Sequence, residues 1–303
     1  MKAAMMMKRL SVFALGMAML AGCSSGAPKA STTASATEEK AATGGSDEVL
    51  RIGVECAYPP FNWTQNGEEV PGSDAKAEPI AGTSQYTYGY DVAVAQKLAD
   101  QLGMDLEVHK SEWDSIGMGL DVGDYDAIIS GMGRTAKRQQ SYSFTDPYYY
   151  RTNCLVVKKG SGLEDVKGLS DLAGKNVKIT TQTGTGWVDL LDQIPDGVPS
   201  ANYATTSECF MAIANGVADV CVIDKPTALA AQSTNPDLVI IDLAEDDKFK
   251  GDEEMTNICI ATRKDDTELK DKLQKALEDM GWTDKAAMDE LMEEMIVSIP
   301  SSN

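Results

Sequence analysis

Apolar residues along this chain fall into short continuous runs separated by stretches with helical spacing. Leu50–Val54 reads as a strand, and Val92, Val94, Ala95, Leu98 and Leu102 predict a helix over 91–102 stopped by Gly103. A strand follows near Leu106–Val108 and a helix around Ser115–Leu120. Tyr125–Ser130 is a strand ending in the small-residue turn Gly131-Met132-Gly133. The alternation resumes after Tyr148–Tyr150. Leu155–Val157, Val177–Thr181, Ala218–Ile223, Leu238–Ile241 and Ile258–Ala261 read as strands. Leu169–Ala173, a stretch opening near Trp187, Cys209–Asn215, Thr227–Gln232, 266–280 and 284–295 read as helices. Strands alternating with helices predict an α/β fold with mostly parallel sheets, and two such blocks predict two similar lobes. Residues 65–88, polar and punctuated by Gly and Pro, read as a hairpin or loop insertion.

The N-terminal residues have a different pattern. Lys2, Lys8 and Arg9 precede the apolar run Leu10–Leu20, which is too short to span a bilayer, so residues 1–22 read as a secretory signal. Residues 23–48, rich in Ser, Ala, Thr and Gly without apolar periodicity, read as a flexible tether.

Composition then removes whole classes of function. The 303 residues carry 47 acidic and 27 basic side chains, a net charge of −20, which excludes nucleic acid as a partner because phosphate binding needs clustered Lys and Arg. His109 is the single histidine, so His-rich zinc sites are excluded. Beyond Cys23, the cysteines Cys56, Cys154, Cys209, Cys221 and Cys259 show no CxxC spacing and give a metal site no support. Their number is odd and three lie in strand-like runs, which favours buried thiols over disulfides.

In open α/β sheets ligands sit beyond the carboxyl ends of strands, here Cys56–Tyr58, Gly131–Gly133, Gln182–Gly186 and Asp224. Arg138 offers a guanidinium for a bidentate carboxylate pair, or is an exposed arginine at a helix start. Thr183-Gly184-Thr185-Gly186 is a turn whose N–H groups favour an anion, and it lacks the signature of a nucleotide-binding P-loop. Asp224 meets a cation, or caps the helix that Pro226 opens. Tyr58, Phe61, Trp63 and Trp113 wall a pocket for an aliphatic or cationic group, or pack in the core.

Together these motifs resemble a family. From Leu50 onward the chain is similar to the polar-amino-acid solute-binding proteins of ABC importers, the bacterial extracellular solute-binding family 3. The resemblance rests on Ile52-Gly53-Val54-Glu55-Cys56-Ala57-Tyr58-Pro59-Pro60-Phe61, Gly89-Tyr90-Asp91, Tyr125–Met132, Thr135-Ala136-Lys137-Arg138, Phe144–Tyr148, Asp171–Lys175, Gln182–Gly186 and Ala218–Asp224. It implies a two-lobed, type II periplasmic-binding-protein fold with two crossover strands at the hinge. Lobe one would be 49–151 and 250–303, and lobe two 152–249. The implied function is capture of an amino acid in the cleft and delivery to an ABC permease, by a monomer with no cofactor and no catalysis.

The resemblance also assigns roles. Arg138 clamps the ligand α-carboxylate with N–H groups at Gly133 and Gly186, and Gln182 and Thr185 belong to the same ligand-binding turn. Asp224 takes the α-ammonium with the Gly131 carbonyl. Tyr58 and Trp113 sandwich the side chain, and Glu55 meets its distal group, which favours a cationic or polar side chain. Leu20-Ala21-Gly22-Cys23 resembles a bacterial lipobox, so Cys23 would be acylated and the protein anchored at the extracytoplasmic face of the cell membrane.

The chain departs from the family at several positions. Gly131 and Gly133 replace hydroxyl residues, which should widen the pocket. Arg134 should point away from the face of Gly133 by strand alternation and be structural. Trp187 either caps the cleft or packs at a helix start. Alternatives are a ligand that is a modified amino acid or short peptide, a sensor that signals in its closed form, and a cyclohexadienyl-dehydratase-like enzyme with Glu55 as general acid.

Overall fold

Leu50, Ile52 and Val54 are buried along the strand Val49–Val54, which pairs in parallel with Asp105–Lys110 on one side and Ala127–Ile128 on the other. Beyond Ala127–Ile128 the sheet continues through Asn257–Arg263 to Tyr142–Tyr150, both pairings antiparallel. The computed structural model describes residues 48–251, 253–282 and 284–300. The signal reading of 1–22, the acylation of Cys23 and the tether up to residue 47 lie outside the described residues.

A second five-stranded sheet has the order Val198–Pro199, Lys178–Thr180, Val220–Asp224, Asn153–Lys158, Leu238–Ile241. Its first three strands are parallel, and Asn153–Lys158 is antiparallel to both of its neighbours. In each sheet, therefore, only the fourth strand runs against the rest. That strand is the one the chain enters on crossing over: Tyr142–Tyr150 leads directly into Asn153–Lys158, and the chain after Leu238–Ile241 returns through Asn257–Arg263. The sheets are mostly parallel in direction, and the two strands that follow a crossover are the reversed ones.

Local chemistry explains the flanking elements. The helix Tyr90–Leu102 buries Val92, Val94, Ala95 and Leu98 and ends at Gly103, whose φ of 65° closes the last turn in the left-handed region. Thr205 caps Thr206–Ala214 through a reciprocal bond with Glu208, and Asp224 caps Lys225–Thr234. In the second sheet Leu155, Val156, Val222 and Ile223 are wholly buried, each contributing about 1.5–3 kcal/mol of apolar burial. Cys56, Cys154, Cys209, Cys221 and Cys259 are all free and buried.

The stretch read as a hairpin or loop insertion contains a hairpin, Glu78–Pro79 with Tyr86–Tyr88, which joins Ala57–Tyr58 and Asn62–Gln65 in a small antiparallel sheet, fastened by Trp63 packed edge-on to Tyr88 at 5.8 Å. Tyr142–Tyr150 is a nine-residue strand despite Pro147, which sits opposite Cys259 where the register shifts. Among the described residues no helix is long and apolar enough to cross a membrane, and no His/Cys/Asp/Glu cluster is arranged to hold a metal.

Candidate functional site

Strand ends from both sheets converge on one narrow cavity, of about 10 Å³. Val49–Val54 delivers Glu55, Ala127–Ile128 leads to Ser130 and Gly131, and Lys178–Thr180 leads to Gln182. Tyr58, Trp113, Arg138, Thr185 and Gly186 complete the predicted residues that border it.

Glu55 is only 3% exposed. Its backbone N–H donates to Ser130 Oγ at 2.9 Å, and its carboxylate accepts from Gln182 Nε2, also at 2.9 Å. Burial pushes the Glu55 carboxyl up to about 7, against the opposing pull of the Gln182 hydrogen bond.

Tyr58 is buried and stacked on Phe61 with ring centres 4.8 Å apart. Its hydroxyl donates to Asp224 and accepts from Arg151 Nη1 at 2.8 Å. The other Asp224 oxygen accepts the Thr227 N–H at 2.9 Å. Asp224 is thus a helix cap, wholly buried, with the Tyr58 hydroxyl on its second oxygen.

Arg138 stands in the short 3₁₀ turn Arg138–Gln140, its guanidinium 5.1 Å over the Trp113 ring. Nη1 donates to the Gly133 carbonyl at 3.0 Å and Nη2 to the Gly184 carbonyl at 3.5 Å. Burial, and then the like charge of Arg151, pull its pKa down to about 10. Among the described residues no carboxylate stands at ion-pair distance from Arg138.

The glycines do not act as expected from the sequence. Gly131 has φ +60°, and a Cβ there would come within 2.6 Å of the Tyr58 ring. At Gly133 a Cβ would meet the Met255 backbone at 3.0 Å. The missing side chains therefore do not widen the pocket, because Tyr58 and the 254–255 segment fill the space. Gly133 contributes its carbonyl to Arg138 from behind the cavity wall. Arg134 bonds the Thr145 carbonyl at 3.3 Å and pairs with Asp146 at 3.6 Å, a structural role in keeping with strand alternation. Trp187 does both things proposed for it: it opens the helix Trp187–Leu191, 2% exposed, and borders the cavity.

Sequence reading missed Arg151 and Met255. Arg151 is 8% exposed, donates to the carbonyls of Gly131 at 3.2 Å and Met255 at 3.0 Å, and lies 4.7 Å over the Trp187 ring. The one available signal was a lone cation in the Tyr148-Tyr149-Tyr150-Arg151 run, immediately where the chain leaves one sheet for the other.

A two-sheet cleft lined from both sides fits capture of a small solute, and comparison with known proteins agrees. Residues 50–294 match the model of the bacterial extracellular solute-binding proteins, family 3. The chain belongs to that family. This solute-binding protein is 30% identical over 231 residues to the ABC transporter arginine-binding protein 1 of Escherichia coli (strain K12), covering 76% of this chain and 84% of that one. An ancestral arginine-binding protein solved with arginine is 29% identical with a TM-score of 0.64, covering 82% of this chain and 97% of that one. The ancestral amino-acid-binding protein AncCDT-1, a precursor of cyclohexadienyl dehydratase, is 26% identical with a TM-score of 0.63, covering 82% and 95%. This solute-binding protein thus shares its fold with amino-acid-binding proteins of ABC transporters.

Proposed function

We propose that this protein captures a free amino acid between its two sheets and hands it to an ABC permease. It acts as a monomer, held at the extracytoplasmic face of the membrane by acyl chains on Cys23. The observation that carries the reading is Arg138: a guanidinium at the cavity edge, fixed by carbonyls and an indole, with no carboxylate at ion-pair distance among the described residues. A ligand α-carboxylate supplies that partner, and a charge-assisted bidentate pair there is strong.

The ammonium then faces the Gly131 carbonyl and the Tyr58 hydroxyl oxygen, with the charge of Asp224 behind it. Trp113 and Tyr58 flank the side chain, and Glu55 and Gln182 meet its polar end. Residues 49–151 with 250–303 form one lobe in this reading, and 152–249 the other. Glu55–Gln182 and Tyr58–Asp224 join residues 127 and 166 positions apart, so contacts that need both lobes favour the closed state.

Isothermal titration of the purified chain against the common amino acids tests the reading. One chemical group of ligands should bind, and Arg138→Ala should weaken it by about 100-fold or more. Binding left intact in Arg138→Ala would overturn the clamp. A dehydratase-like reading has one observation in its favour: Glu55, a buried carboxyl titrating near 7, is suited to general acid chemistry. Turnover of a cyclohexadienyl substrate, lost in Glu55→Gln, would replace transport by catalysis.

A further inference from the structure

The described residues include five arginines, and they divide sharply. Arg51 and Arg263 share Asp126 at 2.8 and 3.0 Å, and Arg134 faces Asp146 at 3.6 Å. Arg138 and Arg151, the two that border the cavity, meet no carboxylate at ion-pair distance among the described residues. Instead they are built alike. Each guanidinium lies over an indole, Arg138 on Trp113 and Arg151 on Trp187, and each spends its remaining bonds on neutral groups. Stacking of this kind holds the planar fork in place and leaves its edge to meet a carboxylate.

The acidic groups nearby make no direct pair with either guanidinium, and Asp224 reaches Arg151 only through the Tyr58 hydroxyl. Glu55 accepts from Gln182, and burial favours its neutral form. Asp224 has one oxygen on the Thr227 N–H and the other on the Tyr58 hydroxyl. Two like charges sharing one poorly hydrated cavity are unfavourable until anions arrive, since a buried charge needs a partner.

We propose that the natural ligand carries two carboxylates, one for Arg138 and one for Arg151. The inference rests on the amino-acid reading and narrows it to acidic amino acids, in place of the cationic or polar side chain that Glu55 and the aromatic walls favour from sequence. The same two-carboxylate chemistry is shared by simple diacids that lack an ammonium. Protonated Glu55 would donate to a carboxylate, so it assists such a ligand.

The test is calorimetric titration of the purified full chain with glutamate, aspartate, glutamine, asparagine, arginine, glutarate and succinate. Glutamate or aspartate should bind at least about tenfold more tightly than its own amide, because the amide leaves one guanidinium unpaired. Arg151→Met should close the gap between acid and amide, and Arg151→Lys, which keeps the charge, should restore part of it. An amide or arginine binding as tightly as the acids would overturn the two-carboxylate assignment and leave the amino-acid reading standing. Glutarate or succinate binding where no amino acid does would uphold two carboxylates and overturn the amino-acid reading. No heat from any of them at millimolar concentration would overturn both. The comparison of acid with amide is made on the unmodified protein, so it does not depend on a variant folding.

Discussion

Arg151 and Trp187 are stacked, the guanidinium carbon 4.7 Å from the ring centre, although one belongs to the hinge and the other opens a helix of the second sheet. The indole N–H donates in turn to Asn153 Oδ1 at 2.9 Å, two residues beyond Arg151. The hinge segment and the cleft wall are therefore one packed unit. Trp187→Ala should cost about 3–5 kcal/mol of stability, as for other buried large aromatics, read from a urea melt. A loss below about 1 kcal/mol would show that the indole is not part of that unit.

Gly131 is confined twice, by its φ of +60° and by the Tyr58 ring against its α-carbon. Gly131→Ala should destabilise the fold by about 1–3 kcal/mol and displace Tyr58 from Asp224. Thermal melting checks the first part, and weakened amino-acid binding in calorimetry checks the second.

Stability should depend on pH through two carboxyls. Burial pushes Glu55 from 4.5 up to about 7, and Asp91 from 3.8 up to about 7. Gln182 pulls Glu55 down in part, while the acidic Glu112, Asp91 and Asp114 add to the rise. The Tyr148 hydroxyl at 2.6 Å and the Asn62 amide at 2.7 Å pull Asp91 down in part, as does the charge of Arg151. Because the folded state holds these protons more tightly than the unfolded chain, the stabilisation is full below about pH 4. It is lost as pH rises through about 7, on the order of 3 kcal/mol per group. Urea midpoints should fall between about pH 5 and about pH 8, and Glu55→Gln and Asp91→Asn should each flatten the curve. A profile already flat in the unmodified protein would mean that neither carboxyl is held protonated.

The thiols should be silent. Burial pushes Cys56 up to about 11, Cys259 up to about 12 and Cys154 well above the ordinary range, and a hydrogen bond with Cys209, then burial, raise Cys221 likewise. A thiol-specific disulfide reagent at neutral pH should find none of Cys56, Cys154, Cys209, Cys221 and Cys259 in the folded protein, and all of them in denaturant. Rapid labelling of any of these five in the native protein would place that thiol at the surface.

How far the sequence could be read follows from where each feature gets its definition. Val49–Val54 and Tyr90–Leu102 are legible because their burial is written in local period, apolar runs for one and helical spacing for the other. Tyr142–Tyr150 is not, because its conformation is set by pairing with Asn257–Arg263, over a hundred residues away, and Pro147 masks the pattern. Gln182 was found because strand ends mark clefts, and Glu55 through the family resemblance. Arg151 was not, because nothing local distinguishes a buried hinge arginine from an exposed one. Its burial exists only once Trp187 and Met255 fold around it. The two readings of Asp224, helix cap and cation partner, show the same limit: an acid before Pro226 fits either, and the structure shows the cap directly.

The place of Asn257–Arg263 between Ala127–Ile128 and Tyr142–Tyr150 inverts the order in which the two halves can be finished. The second sheet draws all its strands from one uninterrupted stretch, Asn153 to Ile241, and can close as soon as that stretch leaves the ribosome or the export channel. The first sheet begins earlier yet stays split down its middle, with two strands facing a gap, until the chain has returned. Emergence from the N-terminus therefore leaves the half that starts first to be completed last, and a chain truncated before residue 257 would hold a closed second sheet beside an unfinished first one.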